Sequence, residues 1–261
     1  MQLSEDQVRA WREDGFVFVD GLLSPAEMAV VQAELPDLLA LRRQEVVLEK
    51  DGETVRSLLN LHLYNAVFDA LVRHPRLIGP TMQLLGSEVY IFQSILNLKH
   101  AFTGDVWQWH QDYPTYHADD GMLTPRVMNI LLFIEDVGEF NGPLMLVPGT
   151  HEATFATPEV DRTTTSYPLR GLDDDTVARH AEDRGIVAPK GPAGSAIFMH
   201  TNLIHGSGPN MSPWGRALMS LTLNSTENKT VAKSVRPDYI VLDDFTPVVP
   251  LAEDCLTRAP A

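Results

Sequence analysis

The stretch WQWHQDYPTYHADDGM, from Trp107 to Met122, predicts a β-strand that runs into a loop. Side chains alternate along a strand, so Trp107, Trp109 and Asp112 cannot all face one side, and the regular pattern must break near His110. On extended chain, the side chains of His110 and Asp112 would point the same way because they are two residues apart. An imidazole and a carboxylate on one face are two of the three ligands of the 2-His-1-carboxylate triad, which binds non-haem Fe(II).

One His-x-Asp pair is a weak signal, and His117 with Asp119 forms a second pair in the same stretch. We favour His110 and Asp112, because they follow a strand-like run with flanking aromatic residues. The other pair lies in a polar segment that ends in a turn-like Asp-Gly. The alternative for His110 is a hydrogen-bonded histidine of the core, and spacing alone does not exclude it.

The third ligand must come from a distant part of the chain, where His205 is the favoured candidate. His205 is followed by the turn-forming segment Gly-Ser-Gly-Pro-Asn, which would place it at a strand end, whereas His200 has no such turn after it. Arg216 begins an apolar strand farther on. A buried arginine requires an anionic partner, and its planar guanidinium can hold a carboxylate through two hydrogen bonds.

The remaining chain predicts helices first and strands afterwards. Capping boxes at Ser4 and Ser24 begin two helices, the second running to about Leu41. Residues 65–85 predict two more helices, separated at His74-Pro75. Strands are then predicted at 89–99, 127–134, 144–147, 194–199 and 216–223. This order favours a mainly β fold with flanking helices, built on a double-stranded β-helix of the jelly-roll or cupin-like kind.

We therefore predict a single domain over residues 1–261. Residues 1–86 would form a mostly helical flank, 87–230 the jelly-roll core, and 231–261 a C-terminal extension. A polar, acidic insertion near 152–186 interrupts the core, with a small helix beginning at Asp173. Such a long insertion is either a lid over a site or a solvated excursion.

The composition narrows the class of protein. The net charge of −15 argues against nucleic acid and against an anionic membrane surface as partners. The single cysteine, Cys255, excludes a disulfide framework and a thiolate metal cluster. Without an apolar leader or a transmembrane run, we expect a cytoplasmic protein that acts on a small molecule as a monomer or homodimer.

Several motifs in order resemble the Fe(II)/2-oxoglutarate dioxygenases of the phytanoyl-CoA dioxygenase family, most closely their ectoine hydroxylase branch. The resemblance covers most of the chain. Its motifs are DGFV from Asp14, QSILNLK from Gln93, WHQDY from Trp109, DGM from Asp120, NGPLMLVPG from Asn141, HGS from His205, Arg216, and NSTENK from Asn224.

The resemblance implies a role for each matching residue. His110, Asp112 and His205 would ligate Fe(II) and form the catalytic centre. Gln93 would contact the substrate. The co-substrates would be O2 and 2-oxoglutarate, and the residues implied to bind 2-oxoglutarate are Asn97, Lys99, Asn129, Ser207 and Arg216. The implied reaction hydroxylates an unactivated C–H bond and releases succinate and CO2.

Two departures from the ectoine hydroxylase branch bear on the substrate. That branch carries a tryptophan where this chain has Tyr116 and an aromatic residue where it has Ser220. Both positions are implied to form the substrate wall, so we expect a different small polar substrate, a free amino acid or a derivative. The alternatives are ectoine 5-hydroxylation itself, a His2Asp zinc hydrolase, and a barrel that binds a ligand without catalysis.

Overall fold

Two antiparallel β-sheets enclose a cavity, and helices cover the outer face of the larger sheet. The computed structural model describes residues 1–155 and 159–258. The larger sheet has the order β1 (Phe16–Val19), β8 (Ala196–His200), β6 (Val127–Phe133), β10 (Arg216–Ser225), β4 (Val89–Lys99), β3 (Val55–Leu59) and β2 (Val46–Leu48). The smaller sheet has the order β5 (Trp107–His110), β9 (Ile204–Ser207) and β7 (Met145–Val147). This architecture confirms the predicted mainly β, jelly-roll fold.

Most helices precede the central strands in the chain. In chain order, the helices are α1 (Glu5–Asp14), α2 (Pro25–Ala33), α3 (Leu35–Leu39), a 3-10 turn (Leu61–Leu63), α4 (Ala66–Val72), α5 (Pro75–Leu85), α6 (Tyr113–Asp120) and α7 (Asp174–Arg184). No helix among residues 1–155 and 159–258 combines the length and apolarity that a bilayer crossing requires.

The predicted helix starts are confirmed. Both capping boxes are formed, at Ser4 and Ser24, and the Asp173 side chain caps α7 by accepting from the Thr176 backbone N–H. The prediction of one helix from Ser24 to about Leu41 is wrong. The chain instead divides into α2 and α3, because Pro36 has no N–H to continue the hydrogen-bond ladder.

The predicted helical flank, residues 1–86, also supplies strands β1, β2 and β3 to the larger sheet. The division into flank, core and extension stays a prediction. Residues 156–158 of the predicted insertion and 259–261 of the predicted extension lie outside the described part of the chain.

Alternation along the central strands divides the larger sheet into two chemically different faces. The face toward the helices is apolar, with Ala217, Met219, Leu221 and Leu223 of β10 in the main hydrophobic core. The opposite residues of β10 line the cavity, and they include one cation and two hydroxyl groups: Arg216, Leu218, Ser220 and Thr222. The period of two residues therefore places the polar side chains of this buried strand in the cavity.

Candidate active site

Strands β5 and β9 pair antiparallel and place His110 directly opposite His205. The Nε2 atom of His110 lies 3.5 Å from Oδ1 of Asp112, and Nε2 of His205 lies 3.4 Å from Oδ2 of the same carboxylate. One ligand atom from each residue lies within 4.8 Å of the other two. The three side chains thus converge on one point, as the ligands of a metal ion must.

Both histidines are held in the tautomer that metal binding requires. The Nδ1 atom of His110 lies 2.6 Å from the Gln108 carbonyl oxygen, and Nδ1 of His205 lies 2.8 Å from that of Leu203. A carbonyl only accepts, so each Nδ1 carries the proton and each Nε2 keeps its lone pair. Burial and the neighbouring His110 lower the pKa of His205 to about 4, so its ring is neutral at physiological pH.

The backbone conformation that places Asp112 at the site differs from the predicted one. The strand ends at His110, near which the regular alternation was expected to break, but Asp112 has helical backbone angles (φ −79°, ψ −41°) and precedes helix α6. The predictions of extended chain through Asp112 and of a loop after it are therefore wrong. Pro114 in the first turn of α6 suits a helix start, and Gly121 ends the helix in the left-handed conformation. This local turn brings the carboxylate beside both histidines.

Gln111, between the two ligands, anchors the junction of β5 and α6, and sequence reasoning missed this role. The side chain is buried, and Nε2 donates to the carbonyl oxygens of Ala153 (2.8 Å) and Asn202 (2.5 Å). Its Oε1 accepts from the Phe155 N–H at 2.7 Å. The sequence contained one signal for this role: next to His110 in a strand, the side chain of Gln111 would point away from the side on which the ligands lie.

Replacing Gln111 with alanine is expected to lower the free energy of unfolding by about 2–3 kcal/mol, since buried backbone groups would lose their partners. Urea unfolding of wild type and variant measures this difference. The matched control is Gln44→Ala at an exposed position, for which a change within about 0.5 kcal/mol is expected. Equal stability of the two variants would contradict the anchoring role.

The facial triad opens into a cavity of about 380 Å³ between the sheets. The larger sheet contributes β4, β6 and β10, and the smaller sheet contributes β5 and β9. Apart from the three metal-ligand candidates, seven residues that the sequence singled out line this cavity: Gln93, Asn97, Tyr116, Asn129, Ser207, Arg216 and Ser220. The structure thus brings together residues that are far apart in the chain.

Arg216 and Ser207 form a buried polar end of the cavity. Arg216 is 3% exposed and Ser207 is 2% exposed. Neither Nε of Arg216 nor Oγ of Ser207 has a hydrogen-bond partner among the described residues. Burial and the nearby charge of Arg56 lower the pKa of Arg216 to about 10, so the guanidinium stays charged at neutral pH. A buried cation and a buried hydroxyl that line the same cavity, each with an atom lacking a hydrogen-bond partner among the described residues, fit a carboxylate ligand such as that of 2-oxoglutarate.

Lys99 is not brought to the cavity wall, although it shares a strand with Gln93 and Asn97. Its ammonium donates to the carbonyl oxygen of Asp105 instead. Burial, together with the charges of Arg216 and Arg56, lowers the pKa of Lys99 to about 6. Its implied contact with 2-oxoglutarate stays a prediction.

The other predicted polar residues of the cavity already have partners. Gln93 donates to the Ile240 carbonyl oxygen at 3.0 Å, and Asn97 accepts from the Ser57 hydroxyl at 2.8 Å. Asn129 donates to the Asp112 carboxylate at 2.6 Å. Tyr116 packs edge-on against Phe92, and burial raises the pKa of its phenol well above 10.

Two loops cover the cavity, and residues of helix α6 form ion pairs with both. Arg170, from the predicted insertion, pairs with Asp119 at 2.6 Å, and Arg236, from the C-terminal segment, forms a two-point ion pair with Asp120. Residues of both loops line the cavity, among them Val160, Arg162, Tyr167, Leu169, Val235 and Pro237. Sequence reasoning missed these residues, because no motif near them indicates a long-range partner.

His200, the rejected alternative ligand, lies elsewhere. Its ring packs near Trp11 at 5.8 Å and near His151 at 5.2 Å, and its Nδ1 accepts from the Asn202 N–H. His117 and Asp119, the second His-x-Asp pair, form no triad within the described residues. The choice of His205 over His200 agrees with this geometry.

Two histidines and a carboxylate between the sheets of a jelly roll, facing a buried cation, define a non-haem Fe(II)/2-oxoglutarate-dependent dioxygenase. The chain belongs to the phytanoyl-CoA dioxygenase (PhyH) family, whose profile matches residues 11–218. This class replaces the zinc hydrolase and the non-catalytic barrel considered from the sequence.

Comparison with curated proteins agrees with this family. Ectoine dioxygenase of Bordetella bronchiseptica is 39% identical over 236 residues, which cover 87% of this chain and 77% of that protein. L-proline trans-4-hydroxylase of Streptomyces griseoviridis is 37% identical over 264 residues, covering 97% of this chain and 98% of that protein.

Solved structures show the same fold. EctD from S. alaskensis with bound Fe superposes with a TM-score of 0.83 at 31% identity, covering 96% of this chain and 87% of that one. The same protein with 2-oxoglutarate and 5-hydroxyectoine gives a TM-score of 0.83 at 30% identity, with the same coverage. Fe(II) and 2-oxoglutarate are accordingly the cofactor and co-substrate of this dioxygenase class.

Proposed function

We propose that this dioxygenase hydroxylates a free amino acid or a close amino-acid derivative. The observation that carries the proposal is the division of one small cavity into two polar ends. Arg216 and Ser207 lie at one end, and the ion-paired residues of α6 and its covering loops lie at the other. The metal-ligand candidates His110, Asp112 and His205 lie in the same cavity.

At the first end, Arg216 would hold the far carboxylate of 2-oxoglutarate, with Ser207 donating from its hydroxyl. Asn97 would present its amide from the neighbouring strand. His110, Asp112 and His205 would hold the metal through Nε2, carboxylate and Nε2. When bound, Fe(II) and 2-oxoglutarate supply the oxidising power that puts one atom of O2 into a C–H bond, with succinate and CO2 as co-products.

At the second end, charged residues of both signs are present. Arg170 is paired with Asp119, and Arg236 with Asp120, and Arg162 lines the cavity as a further cation. A zwitterion, with one ammonium and one carboxylate, can meet both signs of charge at such a wall. The volume of about 380 Å³ is near the lower limit for ligand pockets, which favours small substrates.

The covering loops would exclude water and orient the substrate. Tyr167 and Leu169 lie over the cavity, and the chain beyond them is tied to β5 through the hydrogen bond from Leu172 N–H to the Trp109 carbonyl oxygen at 2.8 Å. The predicted insertion, as far as the structure describes it, therefore serves as a cover in this proposal. Exclusion of water protects a reactive centre from side reactions.

The relatives supply the substrates to test first. One acts on ectoine and another on L-proline, as their names state. A panel of L-proline, other proteinogenic and cyclic amino acids, and ectoine should be incubated with Fe(II), 2-oxoglutarate and O2. The proposal requires substrate-dependent succinate release and a product with one added oxygen atom for at least one amino acid. Succinate release that no panel member stimulates would contradict it.

Tyr116 and Ser220 are expected to set the preference between ectoine and amino acids. Both line the cavity, and Ser220 leaves space that an aromatic ring would fill. The double variant Tyr116→Trp/Ser220→Phe should raise kcat/KM for ectoine relative to the best amino acid by about 10- to 200-fold, the range for reshaping one pocket contact. The ratio of the two kcat/KM values is the measured quantity, because it cancels any change in metal content.

Wild type should prefer an amino acid to ectoine in the same assay. If wild type hydroxylates ectoine best of the panel, the alternative, an ectoine 5-hydroxylase, is correct. The monomeric or homodimeric state and the cytoplasmic location stay predictions.

A further inference from the structure

We propose that Asn129 is a positioning residue for the carboxylate of Asp112, and that Thr222 holds Asn129 in place. The resemblance implied a different role, contact with 2-oxoglutarate. The inference rests on the proposed function in one respect, the assignment of Asp112 as a metal ligand.

Asn129 and Thr222 are direct partners on neighbouring central strands, β6 and β10. Each is 2% exposed. The hydroxyl of Thr222 donates to Oδ1 of Asn129 at 2.7 Å, and Nδ2 of Asn129 donates to Oδ2 of Asp112 at 2.6 Å. The Tyr116 phenol lies close enough to Thr222 and Asn129 for both to affect its pKa.

The direction of these hydrogen bonds follows from chemistry. A carboxylate only accepts, so Asn129 must turn its NH2 group toward Asp112. Its Oδ1 then needs a donor, and Thr222 has a single hydroxyl proton to give. Thr222 and Asn129 thus form one chain of donors that ends on the Asp112 carboxylate.

This chain of donors fixes a torsion that would otherwise be soft. The terminal torsion of an aspartate side chain is broad and roughly two-fold, so backbone placement alone does not orient the carboxylate plane. Asn129 orients it from a paired strand in the middle of the larger sheet. Hydrogen-bonded partners of metal ligands commonly affect metal affinity 10- to 100-fold. Asn129 uses its oxygen and one amide N–H in these two hydrogen bonds, which leaves at most one N–H for 2-oxoglutarate.

Equilibrium titration of metal-free protein with Co(II), followed by visible absorption, tests the inference without turnover. Asn129→Leu keeps the side-chain volume but removes the donor, and should weaken Co(II) binding about 10- to 100-fold and change the absorption spectrum. Thr222→Val removes only the hydroxyl and should weaken binding about 3- to 10-fold, a smaller effect because it acts through Asn129. Thr222→Ser keeps the hydroxyl and should restore wild-type affinity.

The co-substrate is measured separately, as the dissociation constant of 2-oxoglutarate at saturating Co(II). It should change less than about twofold in Asn129→Leu. The control for loss of a buried threonine hydroxyl is Thr81→Val in α5, where the hydroxyl donates to the Leu77 carbonyl oxygen at 2.9 Å, away from the cavity. Thr81→Val should lose stability but keep the Co(II) affinity of wild type.

Two results would overturn the inference. One is unchanged Co(II) affinity in Asn129→Leu with weakened 2-oxoglutarate binding, which would restore the role implied by the resemblance. The other is weakened Co(II) binding in Thr81→Val equal to that in Thr222→Val, which would reduce the effect to general destabilisation. Failure of the proposed metal site is distinguishable, because His110→Ala would then bind Co(II) as tightly as wild type.

Discussion

His205→Ala is expected to abolish the release of succinate, with a loss of turnover of at least about 1,000-fold. His205 is one of the three candidate metal ligands among the described residues, and it lies opposite His110 across the β5–β9 pair. Two remaining ligands cannot hold the geometry that a facial triad requires. Metal content after reconstitution with Fe(II), measured together with substrate-dependent succinate release, should fall in parallel with activity. His110→Ala should behave in the same way.

His200→Ala is the matched control, because it removes a histidine from the same region of the chain but outside the cavity. The ring of His200 packs near Trp11 and His151. This variant should keep the metal content and the turnover of wild type, even if its thermal stability falls. Full turnover by His205→Ala, or by metal-stripped wild type reconstituted with zinc alone, would contradict the assignment of an Fe(II) triad.

Arg216→Met is expected to produce the second largest effect, a loss of 2-oxoglutarate affinity worth about 2–5 kcal/mol. The guanidinium is buried, and its Nε has no hydrogen-bond partner among the described residues. A bound carboxylate would satisfy it. Because 1.4 kcal/mol corresponds to tenfold, the dissociation constant of 2-oxoglutarate should rise by at least about 20-fold. Anaerobic titration of the Fe(II)-loaded protein with 2-oxoglutarate measures this change.

Arg216→Lys separates charge from shape. Lysine keeps the charge but cannot form the planar two-point contact, so its 2-oxoglutarate affinity should lie between those of wild type and Arg216→Met. The control is Arg126→Lys, whose arginine pairs with Glu227 at the surface and does not line the cavity. Unchanged 2-oxoglutarate affinity in both Arg216 variants would remove Arg216 from the co-substrate site.

Together these variants assign each end of the cavity to a different ligand. Variants of the triad should lose metal first and activity as a consequence. Variants of Arg216 should keep metal and lose 2-oxoglutarate. The Tyr116/Ser220 variant should keep both and change only which substrate is hydroxylated. Overlap between the first two patterns would mean that the metal and co-substrate ends are not separate.

The sequence by itself determined the features that depend on near neighbours and on side-chain type. The capping boxes at Ser4 and Ser24 form as predicted, because a cap bonds within the first turn of its own helix. The cavity face of β10 was also predictable, since alternation puts Arg216 and Ser220 on one side of the strand. His110 and Asp112 were found for the same reason, as two ligand types of suitable spacing.

The prediction of an extended backbone between His110 and Asp112, made from the local sequence, was nevertheless wrong. The spacing of His110 and Asp112 agrees with an extended strand, but the chain enters α6 at Asp112. Both conformations can bring the two side chains together, so the same two candidate ligands follow from an extended chain that the structure does not have. Short polar segments leave such choices to tertiary context, because their propensities for strand, turn and helix differ little.

Only the tertiary structure decided which distant groups meet. Gln111 bonds to backbone groups far away in the chain, and Asn129 bonds to the Asp112 carboxylate. Asp119 pairs with Arg170 from another loop. Lys99 was turned to a carbonyl oxygen although its strand position matched that of its cavity-lining neighbours. The physical reason is that a buried polar group must bond to whatever the fold brings within about 3 Å. That partner depends on strand order and register, which no local pattern of residues contains.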